Sequence, residues 1–404
     1  MPHRVIGVLG ALAFVIASTV VGQLPATAAE TPIVVWADAT RAPLIIARTA
    51  KGVQGHPVTV VTKDANAIRE ELKTVGPEAA PDIIWAPNEW TGELASAGLV
   101  AKIPITGKLR SQFPAAVLDG YKFGFAYYGL PVQFENVALI TNATLVPEPV
   151  KTFAELSKKA NALKKNGLVD VGIAVAQGQA GNAYFMNPLF TGLGGYVFGK
   201  NAAGSLDPTN IGIDNPDFRK EVARIDRWNA SGLINSSLDV KAAEAAFTSG
   251  RAPFWITGPW STQTLGALTF KYFLSPVPQI VAGQVPAPYL GIKGFMITRF
   301  AEEHGVLEPS LSLVRRQFSQ AAFQGKVAAA TGRAPASIAA PADRLAKAFA
   351  VAGARGIPTL NIPQAQFTWG PLGRAWADAT RGAGAIPAAQ AFAGAQQEVL
   401  AAVG

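Results

Sequence analysis

The chain has 404 residues, no cysteine and three histidines, and 35 Lys and Arg outweigh 27 Asp and Glu to give a formal net charge of +8. The absence of cysteine excludes disulfides, thiolate catalysis and cysteine-ligated metal, and histidines as far apart as His3, His56 and His304 nearly exclude a histidine-built metal site or a histidine-based triad. The basic excess is spread along the chain, with no dense Lys/Arg block and no basic stretch interleaved with aromatics, so it reads as solubility charge with no nucleic-acid footprint.

The first residues read as an export signal. His3 and Arg4 precede an apolar run over residues 5–21 that ends near the small-residue pattern ATAA at 26–29. A run of about 17 residues sits at the short edge of what spans a bilayer, and Gln23 and Pro25 break it, so cleavage near Ala28 and Ala29 is expected, leaving residues 1–28 as signal peptide. No second apolar stretch of spanning length follows, and no cysteine stands ready for lipid attachment. An exported protein, periplasmic or extracellular, is the expectation. The roughly 375 residues that remain exceed what one hydrophobic core serves, which predicts two lobes.

The mature amino terminus alternates short β-branched runs with helical patterns: strand at 33–36, helix at 43–50, strand at 58–61, helix at 65–74, strand at 81–85. Such alternation predicts a mostly parallel sheet covered on both faces. A second block starts near residues 128–132. The helix from Thr152 to Lys165 is signalled by Thr152 as N-cap, Glu155 three residues on and lysines toward its end. Residues 215–217 (NPD) open a helix reaching about Ala230, with Asp214 and Asp217 expected as capping groups rather than as a calcium loop. At 254–260 (FWITGPW) an apolar strand stops at Gly258 and Pro259, which forces a turn and sets Trp260 at a strand's carboxyl end, where open α/β sheets bind ligands. Read alone, that ring is more a core filler than a stacking platform. The carboxyl-terminal part is alanine-rich and helical, interrupted at 359–364, and no linker separates the lobes, so the chain is expected to pass between them more than once.

The fingerprints of P-loops, nucleophile elbows and zinc proteases are missing. Carboxylates remain: Glu89, Glu93 and Glu135 each follow a strand-like segment, with Glu93 read as a solvated helix face. More distinctive is a set of aromatics beside turns, Trp85, Trp90, Tyr184, Trp260 and Trp369, flanked by Asn88, Glu89, Asn182 and Gln364. Sugars need that pairing, because a pyranose stacks its C–H faces on rings and presents hydroxyls to charged or amide partners.

Residues 128–142 (YGLPVQFENVALITN), 244–247 (EAAF), 256–260 (ITGPW) and 361–364 (NIPQ) through Trp369 resemble the maltose-binding-protein-like members of the extracellular solute-binding family 1, which deliver sugars to ABC importers. The match runs in order through nearly the whole mature chain. The resemblance implies an α/β, two-lobed type II periplasmic-binding-protein fold with a hinged inter-lobe cleft. It implies lobe one over 29–134 and 278–334, lobe two over 135–277 and 335–404, and crossings near 132–136, 276–278 and 333–336. Carried over by position, Asp38 and Arg41 become hydroxyl partners after the first strand, Glu135 matches the hinge-strand glutamate, and Tyr184, Trp260 and Trp369 match three lobe-two rings on which glucosyl units stack. Where the family has an aromatic followed by an acidic and a basic residue, this chain reads WAPNEWT over 85–91, which puts Asn88, Glu89 and Trp90 on the opposite wall. A family glutamate becomes Asn182.

The resemblance thus implies a non-enzymatic, monomeric carrier with no catalytic residue, metal or cofactor, which takes a malto-oligosaccharide or related sugar to a membrane permease. Two alternatives are weighed. The same fold can take another solute, such as a different sugar, an anion, a polyamine or a metal ion. A two-carboxylate glycoside hydrolase ranks last.

Overall fold

The computed structural model describes Met1, residues 30–202 and residues 204–404. Beyond Met1, the expected signal peptide lies outside the described residues. No helix among the described residues is long and apolar enough to cross a membrane.

Two mixed sheets organise the chain. In the first, Val58–Thr62 forms one edge, followed by Ile33–Ala37, Ile83–Pro87, Tyr289–Ile297, Gly129–Glu135 and Ala334–Pro335, with Ile357–Pro358 added beside the start of Tyr289–Ile297. The second runs Tyr272–Ser275, Ala138–Asn142, Phe254–Thr257, Ile173–Val175. The expected parallel pairing holds for Ile33–Ala37 with both of its neighbours. It fails at Tyr289–Ile297, which lies antiparallel between Ile83–Pro87 and Gly129–Glu135. The reason is one of connection: a β-α-β unit fixes direction only for strands joined by its own helix, whereas this strand arrives from the other sheet and enters the middle.

Each sheet carries its own core. Ile33, Val35, Ile84, Leu130, Phe295 and Phe318 are buried in one, and Leu139, Ile140, Phe190, Trp255, Trp376 and Phe392 in the other. The chain passes from the first sheet to the second through Asn136 and Val137, returns between Ser275 and Tyr289, and crosses again after Pro335 to Arg344–Ala352. Asn136 is fully buried at the first passage and donates through Nδ2 to Phe349 O at 3.0 Å, which fastens two passages together. A strap at 359–362 touches both halves. Leu360 and Ile362 pack into the second core, while Asn361 donates to Gly120 O and Lys122 O, both at 2.8 Å, on the first.

Local chemistry explains most element ends. Ala42–Thr49 starts at a proline in its first turn. The helix expected from residue 65 begins only at Ile68, because Asp64 Oδ1 accepts from Asn66 N at 2.8 Å and holds the preceding residues in a turn. Phe153–Lys165 is capped by Thr152, whose hydroxyl accepts from Glu155 N at 3.1 Å; the Glu155 carboxylate returns to Lys151 N at 2.9 Å. The capping role expected of Asp214 and Asp217 is corrected. Asn215 caps Pro216–Glu221, accepting from Asp217 N and Phe218 N, because it is the extended residue before the proline. Asp214 instead pairs with Arg219 at 2.7 Å and Asp217 with Lys220 at 2.7 Å.

Candidate functional site

Strand direction brings the predicted residues of the first half to one edge. Ile33–Ala37, Ile83–Pro87 and Gly129–Glu135 all point the same way, since the last two flank the same antiparallel strand. Their carboxyl ends therefore place Asp38, Glu89 and Glu135 along one rim, the position at which open α/β sheets bind ligands. Asp38 Oδ1 accepts from Thr40 N at 2.9 Å and from Arg41 Nη1 at 3.0 Å, and the Arg41 guanidinium lies 5.3 Å from the centre of the Trp85 ring. Asp38 Oδ2 and Arg41 Nε are shielded from solvent and have no partner. An unpaired acceptor and an unpaired donor on two ion-paired side chains suit a ligand hydroxyl, which offers both functions.

Glu135 is the charged centre. Its Oε2 binds Arg333 Nε, and its Oε1 lies 3.5 Å from Lys293 Nζ. Tyr184 from the second half donates to Glu135 O at 3.3 Å. Burial pushes the Tyr184 hydroxyl well above its usual pKa, and the negative charges of Glu135 and Glu89 add to the shift. Glu89 has an exposed edge yet is crowded by protein. Desolvation raises its carboxyl, Lys293 and Arg69 oppose this, and Glu135 adds like-charge repulsion. Glu89, Glu135, Lys293, Arg333 and Tyr184 thus share one electrostatic neighbourhood where the halves meet. The close approach needs Gly291, where a Cβ would lie 3.2 Å from Glu135 Cγ and 3.4 Å from the Tyr184 hydroxyl.

The second half supplies a row of rings. Tyr184 stands in the first turn of Ala183–Gly192, and Asn182 caps that helix, accepting from Phe185 N at 3.2 Å. Trp260 follows the Phe254–Thr257 strand in a 3₁₀ turn over Pro259–Ser261. Ring centres are 6.2 Å apart for Trp260 and Tyr184, 6.1 Å for Tyr184 and Tyr289, and 5.3 Å for Tyr289 and Trp369. Trp260 also meets Phe185 at 5.4 Å and keeps 36% of its surface exposed, so it is a supported ring with a free side rather than a core filler. Gly258 has an ordinary extended φ of −119°. Its role is room: a Cβ there would lie 2.3 Å from the Trp260 ring.

Two predicted positions behave differently. Asn88 is fully buried, which corrects its place on the opposite wall. Its Oδ1 accepts from Ile292 N at 3.1 Å and Thr359 Oγ1 at 2.8 Å, and its Nδ2 donates to Thr359 O at 2.9 Å. It anchors the 359–362 strap, because the turn after the strand points its amide inward. Trp90 is half-buried against the first core with the Arg69 guanidinium 5.8 Å from its ring centre. Trp85 packs edge-on against Phe295 in the core, and Glu93 pairs with Arg69 at 3.2 Å on a helix face.

Sequence reasoning missed Lys293, Arg333 and Tyr289. A signal existed for Lys293, the single charge within the otherwise apolar nine-residue strand Tyr289–Ile297. Arg333 follows Gly332, a left-handed residue at φ 65° that closes the preceding helix, and nothing local marks its reach to Glu135. Tyr289 reads as any buried strand-end aromatic.

The model of the family described as bacterial extracellular solute-binding protein matches residues 39–303. A galactooligosaccharide-binding protein of Bacillus subtilis is 25% identical over 353 residues, 84% of this chain and 82% of that protein. A maltodextrin-binding protein of Bacillus subtilis is 26% identical over 327 residues, 77% and 76% of the two chains. The crystal structure of a cyclo/maltodextrin-binding protein complexed with maltotetraose superimposes with a TM-score of 0.79 at 24% identity, covering 93% of this chain and 97% of that one. With its two mixed sheets, repeated passages and family match across most of its length, the chain belongs to the bacterial extracellular solute-binding proteins.

Proposed function

We propose that this protein captures an oligosaccharide of the malto-oligosaccharide type between its two lobes and hands it to a membrane permease. The observation that carries the reading is the row Trp260, Tyr184, Tyr289, Trp369 set against the charged group Glu89, Glu135, Lys293 and Arg333. Trp260 and Trp369 offer faces for sugar rings, with Tyr184 and Tyr289 bracing them. Asp38 Oδ2 and Arg41 Nε, both without a partner, offer hydroxyl contacts on the opposite rim. Asn88 drops out of the contact set, and Trp90 adds a ring edge at most. The names of the matched relatives, for maltodextrin and galactooligosaccharide, support a glycan several units long.

Lobe one comprises 29–134 and 278–334 and lobe two the rest, with rotation about the passages closing the gap over the sugar. The signal over 1–28 directs export, and the protein works outside the cytoplasm as a monomer. Capture without chemistry fits the charges. Both oxygens of Glu135 face cations, Arg333 and Lys293, an arrangement that suits a carboxylate holding the site's charges in place.

Titration calorimetry with maltose, maltotriose, maltotetraose and a galacto-oligosaccharide tests this. The expected result is heat with at least one α-glucan, binding that grows with chain length, and no reducing-sugar release on long incubation. No heat with any neutral glycan overturns the reading, and sugar release revives the hydrolase.

A further inference from the structure

We infer a second binding site, remote from the rings, that takes a chain of phosphate groups: a basic groove on the first lobe lined by Lys108, Ser111, Arg315, Arg316, Gln320 and Ser337. The groove encloses about 830 Å³, more than a single inorganic anion fills, and no acidic side chain lines it. Neither guanidinium nor the Lys108 ammonium is ion-paired among the described residues, although 18 such pairs form elsewhere on them. Arg315 Nε is moreover shielded from water without an acceptor, a cost that an anionic ligand oxygen removes.

The local backbone sets this up. Arg315 and Arg316 sit in a π-helical turn, Leu313–Phe318, whose wider i→i+5 coil departs from the α-helix before it. Gln320, on the groove's rim, accepts from Arg48 Nη2 at 2.8 Å. Beyond that bond a smaller depression is lined by Arg48, Lys51 and Gln317, again without an acid, so the positive band continues. Guanidinium forks match phosphate oxygens in pairs, and hydroxyl and amide groups fill the remaining valences. A flat bilayer presents its headgroups to a convex or planar surface, whereas a concave trough admits a flexible chain, so the occupant is an extended phosphate polymer.

Tripolyphosphate is the probe, titrated into the full-length protein at about 0.1 M salt, beside vesicles containing phosphatidylglycerol. Expected are saturable binding that weakens steeply with added salt and at least a tenfold loss in R315Q/R316Q and in K108Q/R316Q. The control K158Q/K165Q, which removes the same charge from exposed positions of the Phe153–Lys165 helix, should bind as the parent does. Using two groove variants guards against misfolding of either, and unchanged maltotriose heat in both separates this site from the sugar site. Equal loss in the control, no binding of tripolyphosphate, or binding to vesicles alone overturns the proposal.

Discussion

Trp260 shows how far one residue's role depends on its neighbours. Its position after a strand and a Gly-Pro turn is written in the sequence, but only Tyr184 and Phe185 beneath the ring and Gly258 against it leave a supported face. Replacing both Trp260 and Trp369 with alanine should weaken oligosaccharide binding by tenfold or more, about 1.4 kcal/mol or above, with little change in melting temperature. Unchanged affinity in calorimetry defeats the stacking model. His304 makes a separate, structural prediction. Its Nδ1 lies 2.7 Å from the fully buried Asp82 and its Nε2 lies 2.8 Å from Pro77 O. Partial burial opposes the charged ring, yet the bonds to Asp82 and Pro77 O and the charges of Asp82 and Glu303 hold its pKa above the usual value. A raised native pKa means stabilisation that is complete below about 6.5 and is lost as pH climbs through the native value. The melting temperature should therefore fall as pH rises above about 6.5, and H304Q should flatten that slope.

Among the elements, a cap was legible where its whole signal was local, and strand directions were not. Thr152 was readable as a cap because the signal is local and needs no partner elsewhere. Asn182 appeared in the sequence as a polar neighbour of the rings and as a lost family charge; the structure makes it the cap that fixes the helix carrying Tyr184. N182A should cost about 1 kcal/mol of stability and loosen sugar binding, whereas N182D should retain the cap; thermal melts alongside calorimetry check both. The antiparallel entry of Tyr289–Ile297 was hidden, because its partners lie more than 150 positions away and its own pattern is the same in either direction. With it were hidden Lys293 and the space at Gly291 on which the charged cluster depends.

For the whole molecule, the two cores and the three passages make relative motion of the halves the expected response to ligand. Small-angle scattering should record a smaller radius of gyration with saturating maltotriose, and no change with the W260A/W369A protein. The 359–362 strap limits that motion. Asn88 and Asn361 bond it to the first half while Leu360 and Ile362 are packed in the second. Removing its anchor in N88A leaves Thr359 O and Ile292 N without their partner, a loss of roughly 1–3 kcal/mol. That variant should melt earlier while its rings remain able to bind sugar.

Alternating strands and helices, the need for two cores, the lack of thiol and histidine chemistry and the rings at strand and helix ends were all legible in the residues, because periodicity, chain length and composition act locally or as sums. Tertiary structure alone decided which of those rings are free. Trp85 and Trp260 look alike as aromatics after apolar runs, yet one packs on Phe295 and the other stands half clear on Tyr184. It also decided that Asn88 ties down a strap and that Lys293 and Arg333 converge on Glu135. Burial and charge pairing are relations between distant segments, and a single strand or turn contains no record of what will be packed against it.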